Sequence, residues 1–312
     1  MAPTLDDVRT AAARIAPFVH RTPVMTSHLL DEWLGASAFL KCEHLQKVGA
    51  FKARGAANAV LSLTDAEARR GVAAASSGNH AAALALAARR RGIPAHIVMP
   101  RTAPAAKRAA VAGYGARIVE CDADQAAREE AIARVLADTG AIEIHPYDDD
   151  RIIAGAGTAA LELLEQVDGL DAMIAPVGGG GLLSGTSIAG HGLDPGLRVL
   201  GAEPELAGDA ARSLATGVRQ PPLPPATIAD GLLTSLSERT FAIVRDHVER
   251  IVTVGEDEIV QAMRYVWERT KQVIEPSAAV AVAAVRRADE LRGLRVGIVV
   301  SGGNVDLSRL PW

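Results

Sequence analysis

The chain has 312 residues, 49% of them hydrophobic and 22% charged, enough apolar material for two domains or one large α/β domain and far from a disordered composition. A net charge of −4 argues against a nucleic-acid or anionic-membrane surface, and no stretch approaches the length of a membrane span. Asp6, Asp7 and Arg9 stand where a secretory signal needs an apolar core, and Cys42 and Cys121 form neither a CxxC pair nor a metal-ligand spacing, which points to plain thiols in the cytoplasm.

Taken in chain order, short apolar or β-branched runs predict strands at 37–42, 71–75, 95–99, 116–121, 141–144, 171–176, 197–203, 250–254 and 295–300. Helix-period stretches lie between them at 5–16, 52–63, 79–91, 104–113, 124–138, 151–167, 182–191, 256–272 and 277–292. Such alternation predicts open, mostly parallel sheets covered by helices, an α/β fold. Gly92-Ile93-Pro94 and Gly113-Tyr114-Gly115 mark helix ends leading into strands. Residues 71–145 hold four strands with three helices between them and read as a small lobe; 1–70 together with 146–312 form the larger one. Pro221, Pro222, Pro224 and Pro225 mark a rigid connection.

Four consecutive glycines, Gly178 to Gly181, separate the apolar run Met173–Val177 from a helix pattern opening at Leu182. Glycine loses more backbone entropy on folding than any other residue, so four at a strand-to-helix junction need a reason. Bare amides converging on a phosphate, helped by the positive end of the next helix, supply one. Neither GxGxxG nor GxxxxGK[ST] is present, so a nucleotide is not the natural ligand. A flexible surface loop is the alternative.

Lys52, in GAFKARGAANAV, opens a helix among residues that read as buried. Its stem could simply snorkel to the surface. Beside a phosphate loop, however, a desolvated amine is suited to a Schiff base with an aldehyde cofactor. Pyridoxal phosphate needs such a lysine, a phosphate cradle and a partner for its ring nitrogen, and Ser301 follows the strand RVGIVV where a partner is wanted.

The ordered motifs KCEHLQKVGAFKARGA, SSGNHAAALALA, GIPAHIVMP, AGAGTAALE, PVGGGGLLSG, IADGL, IEPSAAV and SGGNVDL span nearly the whole chain. They resemble the fold-type II pyridoxal-phosphate enzymes, tryptophan synthase β-like in fold, and within them the serine/threonine dehydratase and serine racemase branch. The resemblance implies that Lys52 holds the cofactor with Phe51 beneath the ring. It places Asn79 at the phenolic oxygen, Gly178, Gly179, Gly180, Gly181 and Leu182 around the phosphate, and Ser301 at the pyridine nitrogen. It assigns Ser76, Ser77, Asn79, His80 and Arg128 to the substrate carboxylate, with Ser77 also on the opposite ring face as a second catalytic group. Glu203, the Ala207 carbonyl and Asp209 match a site for Mg²⁺ or Ca²⁺, whose oxygen ligands suit such cations.

A neutral serine at the ring nitrogen disfavours a long-lived carbanion, so elimination is the easier outcome. The expectation is a lyase converting a threonine- or serine-type β-hydroxy amino acid to a 2-oxo acid and ammonia. Racemisation with elimination as a side reaction is the alternative, and a non-catalytic binder of the cofactor a third. Ala50, Ala81 and Ala82 replace more polar residues usual in the branch, which makes a bulkier substrate such as phenylserine, or hydroxyaspartate, plausible. The chain ends soon after SGGN, so no isoleucine-responsive domain is expected, and a homodimer is what the family implies.

Overall fold

A computed structural model describes residues 2–224 and 226–312; Pro225 of the proline cluster lies outside the described residues. The first half runs α1 (Leu5–Ile15), β1 (Val24–Met25), α2 (His28–Leu34), β2 (Ser37–Cys42), α3 (Lys52–Leu61), α4 (Asp65–Arg70), β3 (Val72–Ala75), α5 (Asn79–Arg91), β4 (Ala95–Pro100), α6 (Ala105–Gly113), β5 (Arg117–Cys121), α7 (Gln125–Thr139) and β6 (Ile142–Glu143). The second half runs α8 (Asp150–Gln166), β7 (Ala172–Pro176), α9 (Gly181–Leu193), β8 (Arg198–Pro204), α10 (Asp209–Thr216), α11 (Glu238–His247), β9 (Arg250–Val254), α12 (Glu256–Thr270), α13 (Pro276–Arg287) and β10 (Arg295–Val300).

Strands β1-β2-β10-β7-β8-β9 form a six-stranded sheet, parallel except where β1 runs antiparallel to β2. A second sheet, β5-β4-β3-β6, is parallel throughout. The α/β architecture agrees with the alternation in the sequence. β7 and β10 lie in the middle of the larger sheet and are buried along almost their whole length, as unbroken apolar runs in parallel sheets are. α13 covers them with a run buried from Ser277 to Val285, small enough to pack flat.

Five elements lie outside the predicted set: β1, α2, α4, α10 and α11. Two of these helices announce themselves through caps and not through apolar period. Thr64 and Glu67 form a reciprocal capping box on α4, and the Ser237 hydroxyl accepts from the Thr240 amide at the start of α11.

Two glycines on α8 position the functional loops. A Cβ at Gly155 would lie 2.7 Å from the Gly55 Cα of α3, and one at Gly157 would lie 2.7 Å from the Gly185 carbonyl oxygen of α9. The notches let α8 clamp α3, which begins at Lys52, and α9, which begins in the glycine loop. A buried ion cluster fixes α3 further. Arg54 donates to Glu43 (2.7 and 2.8 Å) and Glu162 (2.8 Å), while Lys41 donates to Glu162 (2.7 Å), Gln166 and the Thr22 carbonyl. Two cations and two anions balance there, so removing one partner strands a buried charge, at a cost of about 3–5 kcal/mol.

Candidate active site

The loops leaving the carboxyl ends of β10, β3, β6 and β7 meet where α3 begins, the position at which open α/β sheets bind ligands. Lys52 is the first residue of α3. The Phe51 amide donates to the Ser301 carbonyl (3.0 Å), and Ala50 makes an antiparallel bridge with Gly302. Two motifs some 250 residues apart in the chain are thereby stapled together at the backbone.

The Lys52 amine donates to the Pro146 carbonyl at 2.7 Å and lies 5.0 Å from the centroid of the Phe51 ring. No carboxylate pairs with it among the described residues. It keeps some accessible surface, but protein crowds it and burial pulls its pKa down to about 8, well below that of an ordinary lysine. A sizeable fraction of the amine is therefore neutral and nucleophilic near physiological pH.

Gly178 to Gly181 are buried, and the geometry leaves no space for side chains. A Cβ on Gly179 would fall 2.2 Å from the Tyr147 ring, and Gly180 has φ +85° with Leu236 2.6 Å from its virtual Cβ. Gly180 caps α9 with no side-chain acceptor, unlike the capped starts of α1, α4 and α11. The first-turn amides of α9 thus form a buried helix end wanting an anion, the arrangement that suits phosphate. Leu182 lies in that first turn and is buried.

Ser76, Ser77 and Asn79 are partly buried at the β3–α5 junction, where the Gly78 amide donates to the Ser76 hydroxyl. His80 is buried and its Nε2 meets the Ile144 carbonyl at 2.9 Å. A carbonyl only accepts, so the proton sits on Nε2 and Nδ1 is a bare acceptor without a partner; burial first, then Lys52, lowers the pKa to about 3 and keeps the ring neutral. Ser301 is buried, and its hydroxyl makes no hydrogen bond among the described residues. Arg128 sits on α7 beside Cys121 with its Nε buried and unpartnered; no hydrogen bond joins it to the Ser76–His80 loop among the described residues.

Glu203, at the end of β8, accepts from the amides of Ala210 (3.0 Å) and Ala211 (2.8 Å). Burial pushes its carboxyl up to about 8 and that of Asp209 up to about 6, and Asp209 Oδ2 is buried without a partner. Such an orphaned oxygen beside a second carboxylate and the buried Ala207 fits a hard cation. Among the described residues no group of three or more His, Cys, Asp or Glu gathers to hold a metal, so this set would lean on the Ala207 carbonyl and water.

Sequence reasoning missed the loop after β6. His145 Nδ1 accepts from the Asp148 amide (2.9 Å), which puts the proton on Nε2; Tyr147 packs over the glycine loop; Pro146 receives the Lys52 amine. The signal was available, because a loop following a parallel strand at its carboxyl end faces the cleft. Glu275 and Asn304 were also missed as candidate site residues, although they lie in IEPSAAV and SGGNVDL. The Glu275 carboxylate accepts from Asn79 Nδ2 (3.0 Å) and from the Asn304 amide (2.9 Å).

A desolvated lysine, an oligoglycine helix start and a neutral serine at the end of a central strand come together on one parallel and one mostly parallel sheet, the kinds of group a pyridoxal-phosphate site needs. Comparison with known proteins gives the family. The family model described as "Pyridoxal-phosphate dependent enzyme" matches residues 15–302, and the chain belongs to that family. It is 51% identical over 311 residues to the beta-hydroxyaspartate dehydratase of Paracoccus denitrificans, covering 99% of each chain. It is 48% identical to the L-threo-3-hydroxyaspartate ammonia-lyase of Saccharomyces cerevisiae over 98% of this chain and 95% of that one. The crystal structure of serine racemase from Dictyostelium discoideum superposes with a TM-score of 0.93 at 46% identity, covering 97% of this chain and 99% of that one.

Proposed function

We propose that the protein is an ammonia-lyase that converts a β-hydroxy amino acid to a 2-oxo acid and ammonia, with threo-3-hydroxyaspartate the favoured substrate. The observation that carries the reading is the backbone staple between Phe51 and Ser301, which brings the residue with a depressed-pKa amine and the strand end with a neutral hydroxyl to one junction. Lys52 would hold pyridoxal phosphate, the Gly178–Gly181 amides and Leu182 its phosphate, Asn79 its phenolic oxygen and Ser301 its ring nitrogen. The bound cofactor supplies an aldehyde that joins amines reversibly and a ring that withdraws electrons from the substrate's α-carbon.

The chain's own groups then divide the work. Amides at the start of α5, with Ser76 and Ser77, orient the α-carboxylate, where the helix dipole favours an anion. Arg128 joins them as the unit of 71–145 closes on that of 1–70 and 146–312. The neutral Lys52 amine takes the α-proton, and the ammonium so formed returns a proton to the departing β-hydroxyl, which leaves as water. Water then replaces nitrogen at the α-carbon, giving one 2-oxo acid and one ammonia per substrate. Glu203, Asp209 and the Ala207 carbonyl would hold Mg²⁺ or Ca²⁺ and brace the β8–α10 turn. The family resemblance supports a homodimer, and the charged start of the chain supports a cytoplasmic place; no helix among the described residues is long and apolar enough to cross a membrane.

Racemisation is the second reading, favoured by the serine racemase likeness, with Ser77 as the group that would serve the other ring face. Incubation with L-threonine, L-serine, threo-3-hydroxyaspartate and phenylserine separates the two. Elimination yields oxo acid and ammonia in equal amounts, with the highest kcat/KM for hydroxyaspartate. Accumulation of the enantiomer without ammonia would reject the lyase assignment. The same assay after chelation should show reduced turnover and a Tm lower by about 5 °C, both restored by Mg²⁺ or Ca²⁺. Indifference to chelator would remove the cation from the account.

A further inference from the structure

Glu275 is a buried carboxylate in the cleft that the proposed chemistry leaves unused. It precedes Pro276 at the start of α13, and its backbone amide donates to the Gly302 carbonyl at 3.0 Å. Its carboxylate lies over Gly302 so closely that a Cβ there would come within 2.6 Å of Oε1. No cation forms a salt bridge with it among the described residues. Asp230, paired to Lys107 at 2.6 Å, acts on it through charge, and burial, then Asp230, pushes its carboxyl up to about 7. Such a group is costly to bury unless its hydrogen bonds are used.

Those bonds form a chain with a direction. The Val48 carbonyl can only accept, so it fixes the Asn304 amide with Nδ2 toward it, at 2.7 Å. The same Nδ2 donates to Asn79 Oδ1 at 2.9 Å. At the far end Glu275 accepts from Asn79 Nδ2, at 3.0 and 3.3 Å to its two oxygens. Both ends therefore impose one orientation on the Asn79 amide, in which Oδ1 is occupied and one Nδ2–H is spent on Glu275. One Nδ2–H is left over.

We propose that Glu275 is a positioning residue: it fixes the Asn79 amide so that its remaining N–H is offered to the phenolic oxygen of the cofactor. The proposal rests on the reading that Asn79 faces that oxygen. Glu275 also ties this donor, at the start of α5 after β3 of the smaller sheet, to the Ser301–Gly302 strand end of the larger sheet. The partner of the ring's oxygen and the strand end that carries the partner of its nitrogen are thus tied through one residue, the first by its carboxylate and the second by its backbone amide. A glutamine at 275 has nearly the same shape but can donate as well as accept. It would let the Asn79 amide turn and present Oδ1 to a negatively charged phenolic oxygen.

The test is the visible spectrum and the cofactor affinity of Glu275→Gln and Asn304→Ala beside the unaltered protein, with circular dichroism to verify folding. The expected result for Glu275→Gln is a visible band moved to shorter wavelength, a displaced pH midpoint for that band, and pyridoxal phosphate bound about tenfold more weakly in equilibrium dialysis. Glu275→Asp, which keeps the acceptor, should recover part of the band. Asn304→Ala frees the other end of the amide and should move the band in the same direction by less. A folded Glu275→Gln with unchanged spectrum and affinity would overturn the proposal. If Glu275→Gln does not fold, the exposed Asn304 decides alone, and an unchanged band in Asn304→Ala overturns it. Absence of any visible band in the unaltered protein would overturn the cofactor reading beneath it, and the proposal with it.

Discussion

Lys52→Ala should lose more than about 10,000-fold of turnover while keeping its fold, because on the proposed assignment one substitution removes both the cofactor's attachment and the base that moves the α-proton. The loss should appear in kcat, not KM, and a small external amine should restore part of it. Stability should hold, since the change removes a crowded amine with no carboxylate partner among the described residues. The unaltered chain offers a companion measurement. Only a neutral amine attacks an aldehyde, and burial lowers the Lys52 pKa to about 8. The rate at which cofactor-free protein takes up pyridoxal phosphate should thus climb about tenfold per pH unit below that value and level off above it. An ordinary lysine would keep the rate climbing past about pH 10.

Gly180→Ala should spare Lys52 and still cripple the enzyme. The residue has φ +85°, and a methyl group there would stand 2.6 Å from Leu236 Cδ2 and 2.8 Å from Thr240 Cβ. The left-handed backbone costs an alanine about 1–2 kcal/mol, and relieving the overlap costs a further ~1–3 kcal/mol. The loop relieves both by shifting, which moves the amides at the start of α9 away from the phosphate they are proposed to hold. Cofactor affinity measured by titration should fall by about 100-fold, with activity partly recovered at high cofactor concentration and Tm lower by several degrees. Unchanged affinity would mean that the glycines serve packing against Tyr147, Leu236 and Thr240 alone.

Much of this was legible before any coordinates, for physical reasons that differ between elements. β7 and β10 are buried on both faces, so their apolar runs stand out against the helices around them. α4, with the sequence DAEARR, buries only Ala68, and so short and polar a helix has no apolar stripe to detect. Its Thr64–Glu67 capping box was the readable signal. β1 is two residues long and exists only because Val24 and Met25 pair with Lys41 and Leu40, a contact that local sequence cannot express. At the site, residues whose type is costly without a function were visible: a glycine run, a lysine amid alanines, a serine ending a strand. Residues whose meaning depends on a distant partner were not. Glu275 looks like an ordinary helix cap until Asn79, 196 positions earlier, is seen donating to it.

The proposed chemistry depends most on where the cofactor is joined to the chain. Reduction of the pyridoxal-phosphate-loaded protein with borohydride, followed by protease digestion and mass mapping, reads this directly. The predicted result is one pyridoxyl label per chain, on the peptide containing Phe51-Lys52-Ala53, and none in Lys52→Ala. A label on another lysine such as Lys41 or Lys47, or no label at all, would contradict it.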